Sequence, residues 1–203
     1  MASGLLPKNN ITLDIQSRTG NGSRFWAEKG YIDKVYVVDF SEHMLDIASR
    51  NLSKSGTPFR SYLVKYFPLP FTDQMFDLIL CYETIEHIPL SQRTTFVSEL
   101  SRVLKSKGWM ILTCPNVLWE PVHWLAAIFN IHHSEGPHRF LKRDTLISLL
   151  TSRGFEVVRE NSTVILPFSS KHSIYLNTLI ERKLSESIKR NIALRHSFIL
   201  RKI

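Results

Sequence analysis

The stretch that decides the fold is ITLDIQSRTGNGSRFWAEKG, residues 11–30. An apolar run contains an acid at Asp14, a turn follows, and a segment with helical character begins near Gly22. A strand that passes through a glycine-containing turn into a helix leaves backbone N–H groups where they can meet an anionic group. This order of features predicts an α/β sheet whose first turn faces a ligand.

Short apolar runs and helix-like segments alternate along the rest of the chain. Such alternation predicts a mostly parallel sheet covered by helices on both faces. Ser91 is expected to begin one of these helices and Gly108 to close it. The predicted strands are 11–15, 34–38, 59–64, 76–81, 109–114, 155–166 and 196–202, and the predicted helices are 22–29, 43–54, 91–105, 142–154 and 173–192.

The composition indicates one globular domain over residues 1–203, with 1–10 as a lead-in. Hydrophobic residues make up 43% and charged residues 22%, which is ordinary for a domain with a proper core. No stretch has the apolar length of a transmembrane span or a signal peptide. Two cysteines, Cys81 and Cys114, are too few for a disulfide framework. We therefore expect a cytoplasmic protein.

The basic residues are concentrated near the C-terminus. The net charge is +8, and residues 182–203 contain seven Lys and Arg residues against one Glu. This tail either is a solvated face or meets an anionic partner such as nucleic acid, and the solvated face is favoured. The segment 173–192, which overlaps this tail, has an aliphatic helical face that could rest on a membrane or a partner. The face consists of Ile174, Leu176, Leu179, Ile180, Leu184, Ile188 and Ile192. Docking of that helix on the chain's own sheet is favoured.

A second acidic position strengthens the prediction of a nucleotide-like ligand. Asp39 ends the second predicted strand, 25 residues after Asp14. A carboxylate at the tip of a second parallel strand is where nucleotide-binding sheets hold a ribose diol. Phe40 follows directly and could pack beside a base, and Ser41 is a plausible cap for the next helix.

Residues 13–48, which contain Asp14 and Asp39, form the first part of a longer pattern. Three further stretches follow in order: LPFTDQMFDLILCYETIEHI (69–88), ELSRVLKSKGWMILTCPN (99–116) and HRFLKRDTLISLLTSRGFEVV (138–158). Together these stretches resemble class I S-adenosylmethionine-dependent methyltransferases, in the small-molecule branch of types 11 and 12. The resemblance implies a three-layer, Rossmann-like fold with a seven-stranded, mostly parallel sheet and an antiparallel last strand. The N-terminal lid helices of most relatives are not expected here.

The resemblance assigns roles to particular residues. Asp39 would bind the ribose hydroxyls of S-adenosyl-L-methionine, Phe40 would flank the adenine, and Cys81 and Tyr82 would line the methyl side. Glu86 and His87 would sit at the rim that faces the acceptor. The full cofactor set implied by the resemblance is Asp14, Gln16, Arg18, Gly20, Asp39, Phe40, Met44, Tyr66, Cys81 and Tyr82.

The sequence departs from the family pattern at the cofactor site. Gln16 and Arg18 stand where the family has glycine, so the family's backbone there would be strained and the side chains would enter the cofactor's space. Arg18 could instead pair with the cofactor's carboxylate. Lys65 or Tyr66 stands where an acid usually accepts a hydrogen bond from the adenine amine, which a lysine cannot do. These changes predict a low affinity for the cofactor.

The acceptor side is predicted from histidines. The candidate bases are His87 and the four histidines of an acceptor-side insertion at 117–142, namely His123, His132, His133 and His138. Of these, His87, His133 and His138 are the predicted catalytic residues. The spacing of His132, His133, Glu135 and His138 matches no established zinc pattern, so no metal is predicted. Aromatic residues in the same segment indicate a partly apolar acceptor pocket.

The leading prediction is therefore a methyltransferase that acts on oxygen or carbon of a small molecule. The Asn/Asp-Pro-Pro-Tyr tetrapeptide of amide and base amino-group methyltransferases is absent after the fourth strand, where CYET stands. The main alternative is a protein of the same fold that no longer methylates and acts as a binding or scaffold partner. An RNA methyltransferase recruited by the basic tail is a further alternative. A dinucleotide oxidoreductase fits less well, because the G-x-G-x-x-G spacing is missing.

Overall fold

Seven strands form one sheet in the computed structural model, which describes residues 4–121, 139–164 and 171–203. The strands are β1 (Asn10–Ile15), β2 (Ile32–Asp39), β3 (Phe59–Leu63), β4 (Phe76–Tyr82), β5 (Leu104–Pro115), β6 (Phe155–Thr163) and β7 (Arg195–Lys202). The helices are α1 (Asn21–Glu28), α2 (Glu42–Ser53), α3 (Arg93–Val103), α4 (Arg143–Thr151), α5 (Lys171–Lys183) and α6 (Glu186–Ile192). Short 3₁₀ turns lie at Ile85–His87, Leu90–Gln92 and Val117–Trp119.

The strand order is β3-β2-β1-β4-β5-β7-β6. Strands β1 to β5 are parallel to one another, and β7 lies antiparallel between β5 and β6. The prediction of a seven-stranded, mostly parallel sheet with an antiparallel last strand is confirmed. Because β1 to β5 are parallel, their carboxyl ends lie along one edge of the sheet, and the loops at this edge surround the candidate site.

Each face of the sheet buries alternate residues of the strands, because successive side chains point to opposite faces. On one face, Leu13, Ile79 and Phe76 pack against Phe96 and Leu100 of α3. The opposite face buries apolar residues of the strands against one side of α2. This second cluster includes Val35, Val37, Leu45, Leu52, Leu78, Leu80, Ile111 and Ile199.

The predicted end of the helix at 91–105 was wrong. Helix α3 ends at Val103, and the next residue, Leu104, is fully buried and pairs with Phe76 as the first residue of β5. The pairing then moves from Phe76–Leu104 to Leu78–Trp109, so β5 accommodates extra residues in a bulge. Gly108 lies in that bulge, and a Cβ there would stand 2.8 Å from Leu104 Cδ1 and from the Lys105 carbonyl oxygen. Gly108 therefore allows the bulge of β5 to form and does not end a helix.

The segment 173–192 is not one helix. It is divided between α5 and α6, and Ser185 caps α6 by accepting a hydrogen bond from the Ile188 N–H at 3.4 Å. Contact with the chain's own sheet is only partial: the Val164 N–H donates to Glu181 Oε1, and Ala193 is buried. Leu176, Leu179, Ile188 and Ile192, which were expected to face the sheet, are exposed.

Gly20 fixes how the first turn meets α2. It has a left-handed φ of 67° at the start of α1, and a Cβ added to it would stand 3.1 Å from both Cα and Cβ of Ala48. A side chain at this position would therefore have to adopt a strained backbone and push α2 away.

We expect Gly20→Ala to destabilise the fold by about 2–3 kcal/mol, as measured by urea unfolding. Gly56→Ala is the matched control, because Gly56 has a φ of 69° but no atom within 4 Å of its added Cβ. The control should lose only about 1 kcal/mol, from the backbone alone. Equal losses in the two variants would show that the contact with Ala48 is unimportant.

Candidate active site

A cavity of about 470 Å³ opens at the carboxyl edge of β1 to β4. Its walls come from the loops that follow these strands and from the start of α3. A volume of this size suits a small ligand of roughly cofactor dimensions. The lining residues used below are Gln16, Asp39, Phe40, Lys65, Tyr66, Thr84, His87 and Phe96.

The carboxylate of Asp39 joins the first loop to α2. One oxygen, Oδ2, accepts a hydrogen bond from the Arg18 N–H at 2.9 Å, and Oδ1 accepts one from the Ser41 N–H at 3.0 Å. The residue is only 2% exposed, yet it lines the cavity. Since each carboxylate oxygen has a second acceptor position, Asp39 can hold the loop and still accept from a ligand.

The first loop keeps a left-handed backbone without the glycines that favour it. Gln16 has a φ of 54° and Arg18 a φ of 49°, followed by Gly20 at 67°. The Ser17 N–H donates to the Val38 carbonyl at 3.0 Å and ties the loop to β2. Non-glycine residues in this region are strained by roughly 1–2 kcal/mol each.

The side chain of Arg18 reaches the loop after β4. Its Nη2 donates to the Glu83 carbonyl oxygen at 3.2 Å and lies 3.2 Å from Nε2 of His87. A guanidinium has donors only, so Nε2 of His87 is the acceptor in this contact and the ring proton lies on Nδ1. Arg18 thus joins the first loop to the position of a candidate base.

Two aromatic side chains flank the cavity from the exposed side. Phe40 is 59% exposed and Tyr66 is 82% exposed, and both line the cavity. Exposed aromatic rings at a cavity mouth can stack on a planar group. Lys65 also lines the cavity and offers no acceptor to such a group.

Other residues of the predicted cofactor set lie elsewhere. Asp14 accepts a hydrogen bond from Ser23 Oγ at 2.6 Å inside the first turn, and burial raises its pKa to about 7. Cys81 is fully buried in the core. Tyr82 points to the opposite face, where its hydroxyl accepts from Trp26 Nε1 at 2.7 Å and its ring lines a second cavity. Met44 is half-buried in α2 and, like these three, is not in the lining of the first cavity.

Of the candidate bases, the structure places one. His87 lines the cavity, whereas His133 and His138 lie outside the described residues, as do His123 and His132. Among residues 4–121, 139–164 and 171–203, no group of three or more His, Cys, Asp or Glu side chains is placed to hold a metal ion. The acceptor-side insertion predicted at 117–142 falls largely outside the described ranges.

Glu86 is not at the rim where it was expected. It is buried beside His87, and within the described part of the chain its Oε2 has no hydrogen-bond partner. Burial, reinforced by the negative charge of Glu83, raises the pKa of Glu86 to about 8. The glutamate of the E-H pair was visible in the sequence, but its burial follows from the turn at Ile85–His87, which points it inward.

Similarity to known proteins agrees with this architecture. The family described as methyltransferase domain matches residues 13–112. An uncharacterised protein of Methanocaldococcus jannaschii is 29% identical over 74% of this chain and 65% of its own length. A ubiquinone/menaquinone biosynthesis C-methyltransferase of Neisseria meningitidis is 28% identical over 58% of this chain and 47% of its own length. The chain therefore spans about half to two thirds of these relatives.

The solved structures are similar over nearly the whole chain. A S-adenosylmethionine-dependent methyltransferase of Methanosarcina mazei superposes with a TM-score of 0.69 at 18% identity, covering 99% of this chain and 96% of that one. With the sheet order, this settles the fold. Residues 13–112 form a methyltransferase domain of the type 11 family. The methyltransferase domain thus includes β1 to β5 and the loops that build the cavity.

We expect Glu86→Gln to stabilise the methyltransferase at alkaline pH. The carboxyl has a pKa near 4.5 when unfolded and about 8 when folded, so its ionisation favours unfolding. Stability from this group is complete below pH 4.5 and is lost as the pH rises through 8. Glutamine cannot ionise, so the variant should gain up to about 4 kcal/mol relative to wild type above pH 8.

Urea unfolding between pH 5 and 9 measures this effect. Glu42→Gln, at an exposed position in the first turn of α2, is the control and should show no comparable rise. A difference between Glu86→Gln and wild type that does not change with pH would rule out the titration of Glu86 as its cause.

Proposed function

We propose that the cavity binds S-adenosyl-L-methionine and that the enzyme transfers its methyl group to oxygen or carbon of a small-molecule acceptor. The observation that carries the proposal is the position of Asp39, Phe40 and Tyr66 around one cavity at the carboxyl edge of the sheet. A buried carboxylate with spare acceptor positions lies beside exposed aromatic rings, which suits a ribose and a purine.

The residues present fit the cofactor, with one obstacle. Asp39 would hold the ribose hydroxyls, and Phe40 with Tyr66 would flank the adenine. Gln16, Arg18 and Gly20 all have a left-handed φ, the backbone conformation that glycine adopts most readily. Arg18 is the obstacle, because its guanidinium is engaged with the loop after β4. Two roles remain for it: it blocks part of the cofactor's space, or it turns to pair with the cofactor's carboxylate.

The cofactor supplies an electrophilic methyl group, and the protein supplies alignment and proton removal. His87 is the described candidate for the base, with His133 and His138 as further candidates. In the present contact Nε2 of His87 accepts from Arg18. Movement of Arg18 away from His87 would leave Nε2 available to take a proton from the acceptor.

Support for a small-molecule acceptor comes from the relatives and from the sequence. Relatives in Neisseria are named as C-methyltransferases of ubiquinone and menaquinone biosynthesis, which favours carbon methylation among the possibilities. The tetrapeptide of base and amide methyltransferases is absent.

The two cysteines are buried and unpaired, in keeping with a cytoplasmic location. The scaffold alternative is favoured by Gln16 and Lys65 in the cavity lining and by the guanidinium of Arg18 beside His87.

Asp39→Asn should weaken binding of S-adenosylhomocysteine at least tenfold, because a neutral amide forms weaker hydrogen bonds to a diol and disturbs the loop. Calorimetric titration with S-adenosylmethionine and S-adenosylhomocysteine measures it. Asp33→Asn, exposed on β2, is the control and should bind like wild type. No binding by the folded wild-type protein up to millimolar ligand would overturn the proposal and favour the scaffold alternative.

Gln16→Gly and Arg18→Gly separate strain from obstruction in the same titration. Gln16→Gly should tighten binding several-fold and stabilise the fold by about 0.5–1 kcal/mol, since it relieves a left-handed backbone. Gln74→Gly is the control: Gln74 also has a positive φ, 53°, but does not line the cavity, so only stability should rise. Tighter binding by Arg18→Gly would identify Arg18 as an obstacle, and weaker binding would identify it as a cofactor ligand.

A further inference from the structure

One face of α5 is exposed and apolar. Tyr175, Leu176 and Leu179 are 65%, 47% and 36% exposed. At 100° per residue these three side chains lie within about a third of the helix circumference. Glu181 lies on the opposite side of α5, where its Oε1 accepts the hydrogen bond from the Val164 N–H. The helix thus turns its polar anchor to the protein and its apolar face outward.

Three further exposed apolar side chains lie on the next helix and on the turn that is bonded to it. Ile188 and Ile192 share one face of α6, and Leu118 lies in the turn at Val117–Trp119. This turn is tied to the end of α6, because Trp119 Nε1 donates to the Ile192 carbonyl at 3.1 Å. We call the six residues the C-terminal apolar surface: Leu118, Tyr175, Leu176, Leu179, Ile188 and Ile192.

The charge around this surface is positive. Arg182 and Lys183 extend the exposed face of α5, and neither forms an ion pair within the part of the chain that the structure describes. Of the nearby acids, Glu181 faces the protein and Glu186 pairs with Lys189, while Glu120 after the turn at Val117–Trp119 is exposed. The cations therefore outnumber the exposed acids. Exposed aliphatic and aromatic groups beside unpaired cations complement an anionic lipid surface.

We propose that the C-terminal apolar surface docks the protein on anionic membranes. The apolar side chains enter the boundary between headgroups and acyl chains, and Arg182 and Lys183 meet lipid phosphates. This is attachment at the interface: no helix among the described residues is long and apolar enough to cross a bilayer. The proposal does not depend on methyl transfer.

The surface lies near the edge of the sheet where the cavity opens. Asn116, directly after β5, donates from Nδ2 to the Arg190 carbonyl at 3.1 Å and to the Ala193 carbonyl at 2.9 Å. The end of α6 is therefore fixed at the carboxyl end of β5, on the same edge as the candidate active site. Docking at this surface places that edge of the sheet close to the lipid.

Co-sedimentation with vesicles tests the proposal. The wild-type protein should bind vesicles of phosphatidylcholine with phosphatidylglycerol, bind those of phosphatidylcholine alone much more weakly, and lose affinity as salt rises. Leu176→Ser/Leu179→Ser should lower the partition coefficient more than tenfold. Arg182→Gln/Lys183→Gln should lower it about fivefold for each charge removed.

Matched controls come from the other edge of the sheet. Leu63→Ser and Lys54→Gln/Arg60→Gln remove an exposed leucine and two exposed cations near β3 and should bind like wild type. Circular dichroism checks that every variant is folded. Equal losses of vesicle binding in the control variants and in the variants of the C-terminal apolar surface, or no vesicle binding by the wild type, would overturn the proposal. It would also be overturned if no variant bound vesicles and the variants of this surface lost RNA binding or self-association, which would assign the surface to that partner.

Discussion

The candidate site depends on the hydrogen bonds that the Asp39 carboxylate accepts from two main-chain N–H groups. Arg18 N–H and Ser41 N–H approach it from the first loop and from the start of α2. One side chain at the end of β2 therefore sets the distance between two loops that belong to different strand–helix connections. The position of this carboxylate therefore determines three features: the left-handed backbone of the first loop, the lining of the cavity, and the groups that the Arg18 side chain can contact.

Charge is concentrated at the carboxyl end of β4. Glu83 and Glu86 lie within one turn, and Arg195 Nε approaches Glu83 Oε1 at 2.9 Å from β7. Glu86 remains without a hydrogen bond to its Oε2 in the described residues, and its pKa rises. The pKa of Asp14, on the neighbouring strand β1, is also raised by burial. Buried carboxyls with shifted pKa values close to a cavity are typical of sites where protons move.

The order of strands and helices could be predicted because alternation and glycine turns report local structure directly. The bulge of β5 could not, since a lysine-rich stretch that ends in glycine is also typical of a helix C-terminus. It arose because burying Leu104 beside Phe76 outweighed continuation of the helix. Of the residues that line the cavity, Asp39 and Phe40 were predicted from their position after the second strand and Tyr66 from the family resemblance. Tyr82 was misplaced because successive strand residues face opposite sides, and only the structure shows that Cys81 faces α3.

Within the described parts of the chain, β3 and β6 are the edges of the sheet, and their side chains bear on how copies of the protein meet. Strand β3 is five residues long and exposes Arg60, and β6 exposes Glu156 and Arg159 along its nine residues. A second copy that added its own β3 edge would bring two Arg60 side chains together, and one that paired with β6 would remove Glu156 and Arg159 from water. Short length at one edge and charge at the other therefore guard the molecule against growth into extended β-sheet aggregates.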